Sequence, residues 1–350
     1  ACGVSGAVTV KVAAGSYTQS QGFVFGPIPG AGPSSQVRFV GATGGAAETR
    51  LVSQAGSHVI LIAPNTAHLI LKSLVIDGSD SGNALKSAGA LIRFDPAGGQ
   101  SNVALTELTL RNLRGSNWTT TNASAAIDLS LASSTSKRQA IIAGCRFLRI
   151  SPPQPGGAQA LILVNGGAHK GLVVRANTFS EIDGEVFSLR AGSVDKLDVF
   201  NNMIALSAGA AMRLATAVTL SDACFMFNSV LAVGSGAAGV RGPWGGRLWL
   251  NANAFEMVGA KGGSFVTGVG TSKLETSFNC ISTAASYGFT SSMGDKKGNI
   301  AFVSTSAPYD LHLRSSSDCL DAGGGPVSGV TVDIDGDTRN NPPDIGADER

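Results

Sequence analysis

Charge is scarce and nearly balanced in this chain of 350 residues: charged side chains make up 14% of it, and 26 Lys and Arg against 24 Asp and Glu leave a formal net charge of +2. That removes the basic footprint of a nucleic-acid-binding protein. No apolar run reaches the length of a transmembrane helix, and none has the layout of a signal peptide. Ala1-Cys2-Gly3-Val4-Ser5-Gly6 leads straight into the β-forming stretch from Val8, so the chain reads as trimmed at its start, with any export signal already gone. The five cysteines are an odd number with no Cys-x-x-Cys pair, which excludes complete internal pairing and argues against a redox role. His58, His68, His169 and His312 have no nucleophile elbow near them, which argues against Ser/His/Asp catalysis. Tyrosine is limited to Tyr17, Tyr287 and Tyr309, all near the chain ends.

What the chain does have is a phrase repeated along most of its length. It runs through Lys72–Ile76, Thr106–Leu110, Ala143–Phe147, Arg175–Phe179, Phe200–Ile204, Phe227–Leu231, Asn251–Phe255 and Ser277–Ile281. Its middle column reads Leu74, Leu108, Cys145, Asn177, Asn202, Ser229, Asn253 and Asn279, and the residue two places later is always large and apolar. From Asn177 onward the spacings are 25, 27, 24 and 26 residues, a period that signals a solenoid. A run of β-formers precedes each phrase, as in Leu172-Val173-Val174 and Leu248-Trp249-Leu250, and a second apolar segment lies roughly ten residues further back.

These segments are too short and too β-branched for helices, and the leucine pattern and helical half of leucine-rich repeats are missing. The fit is a coil of three short strands per turn, each pairing in parallel with its equivalents above and below. Asparagine suits the bend between the second and third strands because it tolerates left-handed backbone. Stacked about 4.8 Å apart, successive amides can hydrogen-bond in a ladder. The 46 glycines and low charge suit a fold of many tight turns. Cys145 reads as a small buried hydrophobe, and Cys280 in the last coil is expected to pair with Cys319 in the closing segment.

The opening Val8–Thr18, with Ile28-Pro29-Gly30 and Val37–Ala42, resembles the first coils of secreted bacterial right-handed parallel β-helix proteins of the pectate-lyase-like superfold. Asp310–Leu313, Ser317–Gly323, Asp333–Arg339 and Pro343–Glu349 resemble their C-terminal cap, which commonly precedes a surface-anchoring segment. The resemblance implies β-helix coils over 1–305, a cap of the same solenoid over 306–350, and a secreted or cell-surface bacterial protein.

In lyases and hydrolases of this fold the substrate lies along the first-strand face. Strand alignment puts Arg93, Asp128, Ile162, Ser188, Arg213 and Arg241 in its outward column, with Asp95, Ser130, Val164, Arg190 and Ala215 beside them. A lyase needs a cation to neutralise a uronate carboxylate and a base for the α-proton. Arg190, one coil after His169 and Lys170, resembles the Lys/Arg pair of alginate and chondroitin lyases, although those enzymes carry the lysine directly after an asparagine and here glycine follows Asn165. Asp95 and Asp128, one coil apart, are the carboxylates a glycosidase would use, and both are also ordinary on solvated strands. Trp118 and Trp244 lie in loop-like sequence, where tryptophan either stacks on sugar rings or covers the coil. Asp333, Asp335 and Asp337 alternate around Gly336 like a calcium loop; the other reading is an ion-paired cap closed by Arg339.

The sequence therefore predicts an extracellular β-helix that binds polysaccharide or a cell-surface component, with self-assembly open to it. No organic cofactor is expected, Ca2+ at the aspartate loop is open, and no nucleic acid or membrane span is implied in this segment. The alternative is a lyase or glycosidase on the Arg/Asp face.

Overall fold

The computed structural model describes residues 4–20, 22–42, 48–53, 58–80, 83–84, 90–113, 125–132, 137–150, 160–234, 236–258, 263–268, 273–325 and 329–350. Three long parallel sheets of nine, ten and eleven strands carry them, and no helix occurs among the described residues. One turn of the coil runs from Glu185–Leu189 in the first sheet through Gly192–Phe200 in the second to Met203–Ala208 in the third. The chain then regains the first sheet at Ala210–Leu214, with Phe187 opposite Met212. The crossovers take the right-handed course that parallel connections favour, and the fold is a right-handed parallel β-helix.

Alternate side chains of each strand fill the interior. Phe147 stacks on Phe179 in the next coil with ring centroids 4.5 Å apart, and Phe179 meets Phe187 edge-on at 5.8 Å. Burying such a side chain stabilises by about 1.5–3 kcal/mol, so the repeated apolar column holds the rod together coil by coil. Gly209 makes the bend back into the first sheet at φ +84°, and a Cβ there would sit 2.3 Å from the carbonyl oxygen of Gly184.

The asparagine ladder is present between the second and third sheets. Asn177, Asn202, Asn228 and Asn253 each donate from Nδ2 to Oδ1 of the next asparagine at 2.9, 2.9, 3.1 and 3.0 Å, ending on Asn279. Each backbone N–H of the four makes a second bond to the same oxygen, at 3.1–3.2 Å. Asp295 closes one end by accepting both donors of Asn279, and Cys145 opens the other by donating its N–H to Asn177. Burial pushes the Cys145 thiol up to about 12, keeping it neutral in that column.

Two details of the expected column are corrected. The ladder member in the third asparagine-bearing phrase is Asn228, not Ser229, and the true steps are 25, 26, 25 and 26 residues. The left-handed position is the residue before the ladder, held by Ser73, Glu107, Gly144, Ala176, Asn201, Phe227, Ala252 and Phe278 at φ 49–63°. Asparagine is placed here for its amide, while the backbone bend is imposed on whatever precedes it.

The closing segment lies along the side of the rod. Ile300, Phe302, Leu311, Leu313, Cys319, Ile345 and Ala347 pack on Met203, Ala205, Leu231, Ala254 and Cys280, which come from successive strands of the third sheet. A boundary at 305 falls inside an antiparallel hairpin of Phe302–Ser304 with Asp310–Leu313. Cys280 and Cys319 are disulfide-bonded with Cα atoms 5.9 Å apart, tying this flap to the last coils. Arg339 locks its far end: the side chain is 3% exposed, stacks 4.1 Å from the Phe227 ring centroid, and bonds Asn201 Oδ1 and the Gly346 carbonyl.

Candidate functional site

The outer face of the first sheet gathers most of the charged residues singled out in the sequence. Register places Arg93, Asp128, Leu163, Ser188, Arg213 and Arg241 opposite one another in successive coils. Leu163 takes the place expected for Ile162, which points into the core with Ile92, Ile127 and Phe187. Because Val164 pairs with Leu189, the neighbour of Arg190 is Asn165 rather than Val164.

A residue the sequence reading missed dominates this face. The strands begin with a row of alanines, Ala90, Ala125 and Ala160, and that row continues as Glu185. Ala210 takes the same place at the start of the next strand. Glu185 is 5% exposed, and its Oε1 lies 2.6 Å from the Arg213 guanidinium. The legible signal was the alanine row itself, in which one carboxylate stands out once the register is known.

Four buried polar atoms on this face have no hydrogen-bond partner among the described residues: Glu185 Oε2, Ser188 Oγ, Arg190 Nε and, opposite Arg241 further along the column, Thr267 Oγ1. Leaving such atoms unpaired costs about 1–3 kcal/mol each, so native proteins keep them where a ligand or water completes the set. Burial pushes the Arg190 guanidinium below its ordinary value; Glu185 and Asp128 oppose the shift and Arg213 adds to it. Arginine nonetheless remains a cation.

The groups proposed for proton transfer do not converge on Arg190. His169 is fully buried with Nε2 3.3 Å from the Gly166 carbonyl, and burial, reinforced by Arg138, pushes it down to about 4. It lines the interior with Arg138, whose guanidinium is bonded by Gln100 Oε1 and by the carbonyls of Asp95 and Ser130. Lys170 is exposed on a strand of the second sheet. Asp95 and Asp128 are not opposite each other, since Asp128 faces Arg93, and each caps its own turn through the N–H of Ala97 or Ser130 at 2.9 Å. Arg241 turns back onto the Gly236 carbonyl.

Trp118 lies outside the described residues. Trp244 is 4% exposed and belongs to the core, so it offers no sugar platform. The glycines around it suggest a loop, yet the ring packs inside the coil.

The aspartate loop is organised around the carboxylate of Asp333. Asp333 Oδ1 accepts the N–H groups of Asp335, Gly336 and Asp337 at 2.8–2.9 Å, and Oδ2 accepts that of Glu349 at 3.0 Å. Its carboxylate is thereby committed to shaping the turn. Among the described residues, the ligand atoms close enough to share an ion belong to His312, Asp335 and Asp348, within 4.8 Å of one another. His312 spans this acidic group itself, with Nδ1 on Asp310 and Nε2 2.8 Å from Asp335. Burial disfavours the imidazolium, but Asp310, Asp348 and Asp335 together outweigh it and raise the pKa above 6.5.

A raised folded-state pKa means His312 stabilises the flap fully below the unfolded value near 6.5 and loses that contribution as pH rises through the folded value. Protection of the Leu313 amide, bonded to Asp348 Oδ2 at 2.9 Å, should therefore fall from pH 6 to pH 9 in the wild type beyond the intrinsic rate change. The His312→Gln variant should be flat over the same range; an unchanged pH dependence would remove the imidazolium from the account.

No protein-family model matches the chain. No curated protein matches it either. Among solved structures, a pectate lyase, Pel9A, aligns at TM-score 0.47 and 11% identity, covering 98% of this chain and 88% of that one. A PL6-family alginate lyase, AlyGC, aligns at TM-score 0.35 and 13% identity, covering 88% of this chain and 52% of that one.

Proposed function

We propose that this protein is an extracellular β-helix that binds acidic polysaccharide along the outer face of its first sheet without cleaving it. The observation that carries the reading is the set of unpaired buried atoms on Glu185, Ser188 and Arg190 beside the guanidinium groups of Arg190 and Arg213. Arginine's planar fork matches a carboxylate through two parallel bonds, and rungs about 4.8 Å apart repeat the offer along the rod. Arg93 and Arg241 extend the same column towards both ends. The Cys280–Cys319 bridge supports an oxidising, extracellular setting.

Binding without turnover is favoured because, among the described residues, none of the groups that the sequence offers for proton transfer stands free beside Arg190. Arginine is a poor proton acceptor, His169 is inside the coil, Lys170 is on another sheet, and Glu185 already gives one oxygen to Arg213.

Native-gel mobility tests the reading directly. Polygalacturonate or alginate in the gel should retard the wild-type protein while a neutral glucan does not, and added salt should weaken the retardation by screening. Arg213→Ala and Arg190→Ala should each weaken binding about three- to tenfold. Equal retardation of both variants and the wild type would remove this face from the site.

A further inference from the structure

The second sheet carries a groove on its own outer face that the acidic-polysaccharide reading does not use. Its cavity of 580 Å³ is lined by Val173, Asp198, Cys224 and Trp249, and by Val330 from the flap. The first four face one another in successive coils, so the floor is a single outward column of the sheet. Trp249 projects outward because Leu248 and Leu250 on either side of it fill the core, leaving the residue 40% exposed. Arg247 stacks 5.6 Å from the ring centroid and pairs with Glu275 at 3.0 Å.

The polar groups here differ in sign from those on the first sheet. Asp198 and Asp222 reach the groove with Lys196 as the cation beside them, 3.3 Å from Asp198, leaving an excess of one negative charge at the mouth. A uronate carboxylate is repelled by that excess. Burial first, then Asp222 and Asp198, pushes the Cys224 thiol up to about 11, so it serves as a neutral wall and not as a nucleophile. The wall formed by Val330 is firm, because that residue is buried against Met226, Phe227 and Ala252.

We propose that this groove binds a neutral hexose unit of a glycan, with Trp249 stacking on the apolar face of the ring and Asp198 and Asp222 accepting its hydroxyl hydrogens. An exposed indole offers an apolar platform of the right size, and carboxylates take hydroxyl donors without requiring a charged ligand. The volume suits one or two sugar rings. The rod then carries two saccharide faces of opposite preference, and the second stands whether or not the first binds uronates.

Titration calorimetry with cellohexaose, mannohexaose and hexagalacturonate tests this on the intact protein. At least one neutral hexaose should bind the wild type, and Trp249→Ala should weaken it by about tenfold or more. Trp249→Phe should keep part of the affinity, Asp198→Asn should weaken it severalfold, and Arg213→Ala should leave it unchanged. Light scattering of the wild type and Trp249→Ala accompanies the titrations. Failure of both neutral hexaoses to bind, equal binding by Trp249→Ala, or concentration-dependent self-association that Trp249→Ala abolishes would each overturn the proposal, the last by assigning the groove to a second copy of the chain.

Discussion

Replacing Asn228 with alanine is expected to destabilise the coil by about 2–4 kcal/mol, through buried groups left without partners. Asn228 is fully buried; its Oδ1 accepts the N–H and the Nδ2 of Asn202, while its own Nδ2 donates to the carbonyls of Val199 and Met226 and to Asn253. Alanine removes all of these. Ser229, one residue on, accepts a single bond from the Ala347 N–H, so Ser229→Ala should cost less, about 1–2 kcal/mol. Denaturant unfolding, with hydrogen exchange at the amides of residues 202 and 228, compares the two. Equal losses would mean that the ladder runs through Ser229 and that Asn228 is not its member.

The other large effect is expected at Arg339. Removing it leaves the Glu349 carboxylate, 3% exposed and 3.3 Å from the guanidinium, without its cation. Breaking a buried pair in this way costs about 3–5 kcal/mol. That loss falls on the flap, because Arg339 also bridges Asn201 of the coil and the carbonyls of Gly346 and Ala347. Arg339→Ala should therefore free the segment after Asp333 for proteolysis while the Cys280–Cys319 bridge still holds its base. Arg339→Lys should rescue little, since an ammonium cannot both lie flat on Phe227 and reach these acceptors. Resistance of Arg339→Ala to proteolysis would show that apolar packing alone seats the flap.

The coil was legible because its side chains repeat for a physical reason. An amide that must bond the amides above and below it cannot change offset, and the apolar residue two places later must point inward. The reading slipped at Phe227-Asn228-Ser229, where the step lengths alone do not decide which residue takes the ladder position; the hydrogen bonds do. The left-handed residue was misplaced because the sharp turn is enforced by pairing on both sides, so alanine, glutamate or phenylalanine occupies it.

The candidate sites were harder to read because each depends on which face a strand residue takes. Ile162 and Leu163 are chemically alike, and only the register separates core from surface. Glu185 follows Gly184 as an ordinary turn carboxylate would, until its row of alanines is aligned. Trp244 and Trp249 exchange the roles their surroundings suggest: glycines flank the buried ring, while leucines flank the exposed one. In the flap, the spacing of Asp333, Asp335 and Asp337 suggests a shared ion, and it does not reveal that the Asp333 carboxylate also holds the turn through backbone amides.

Whether the arginine face of the first sheet holds an acidic polymer intact is tested most directly in one mixture. Purified protein is incubated with polygalacturonate of defined length and passed through a size-exclusion column with ultraviolet detection. Polymer is expected to co-elute with the wild type and to be released by an Arg190→Ala/Arg213→Ala double variant, its chain length unchanged and without unsaturated ends. Shortened polymer absorbing in the ultraviolet, lost in the double variant, would contradict this and make the face the active site of a lyase.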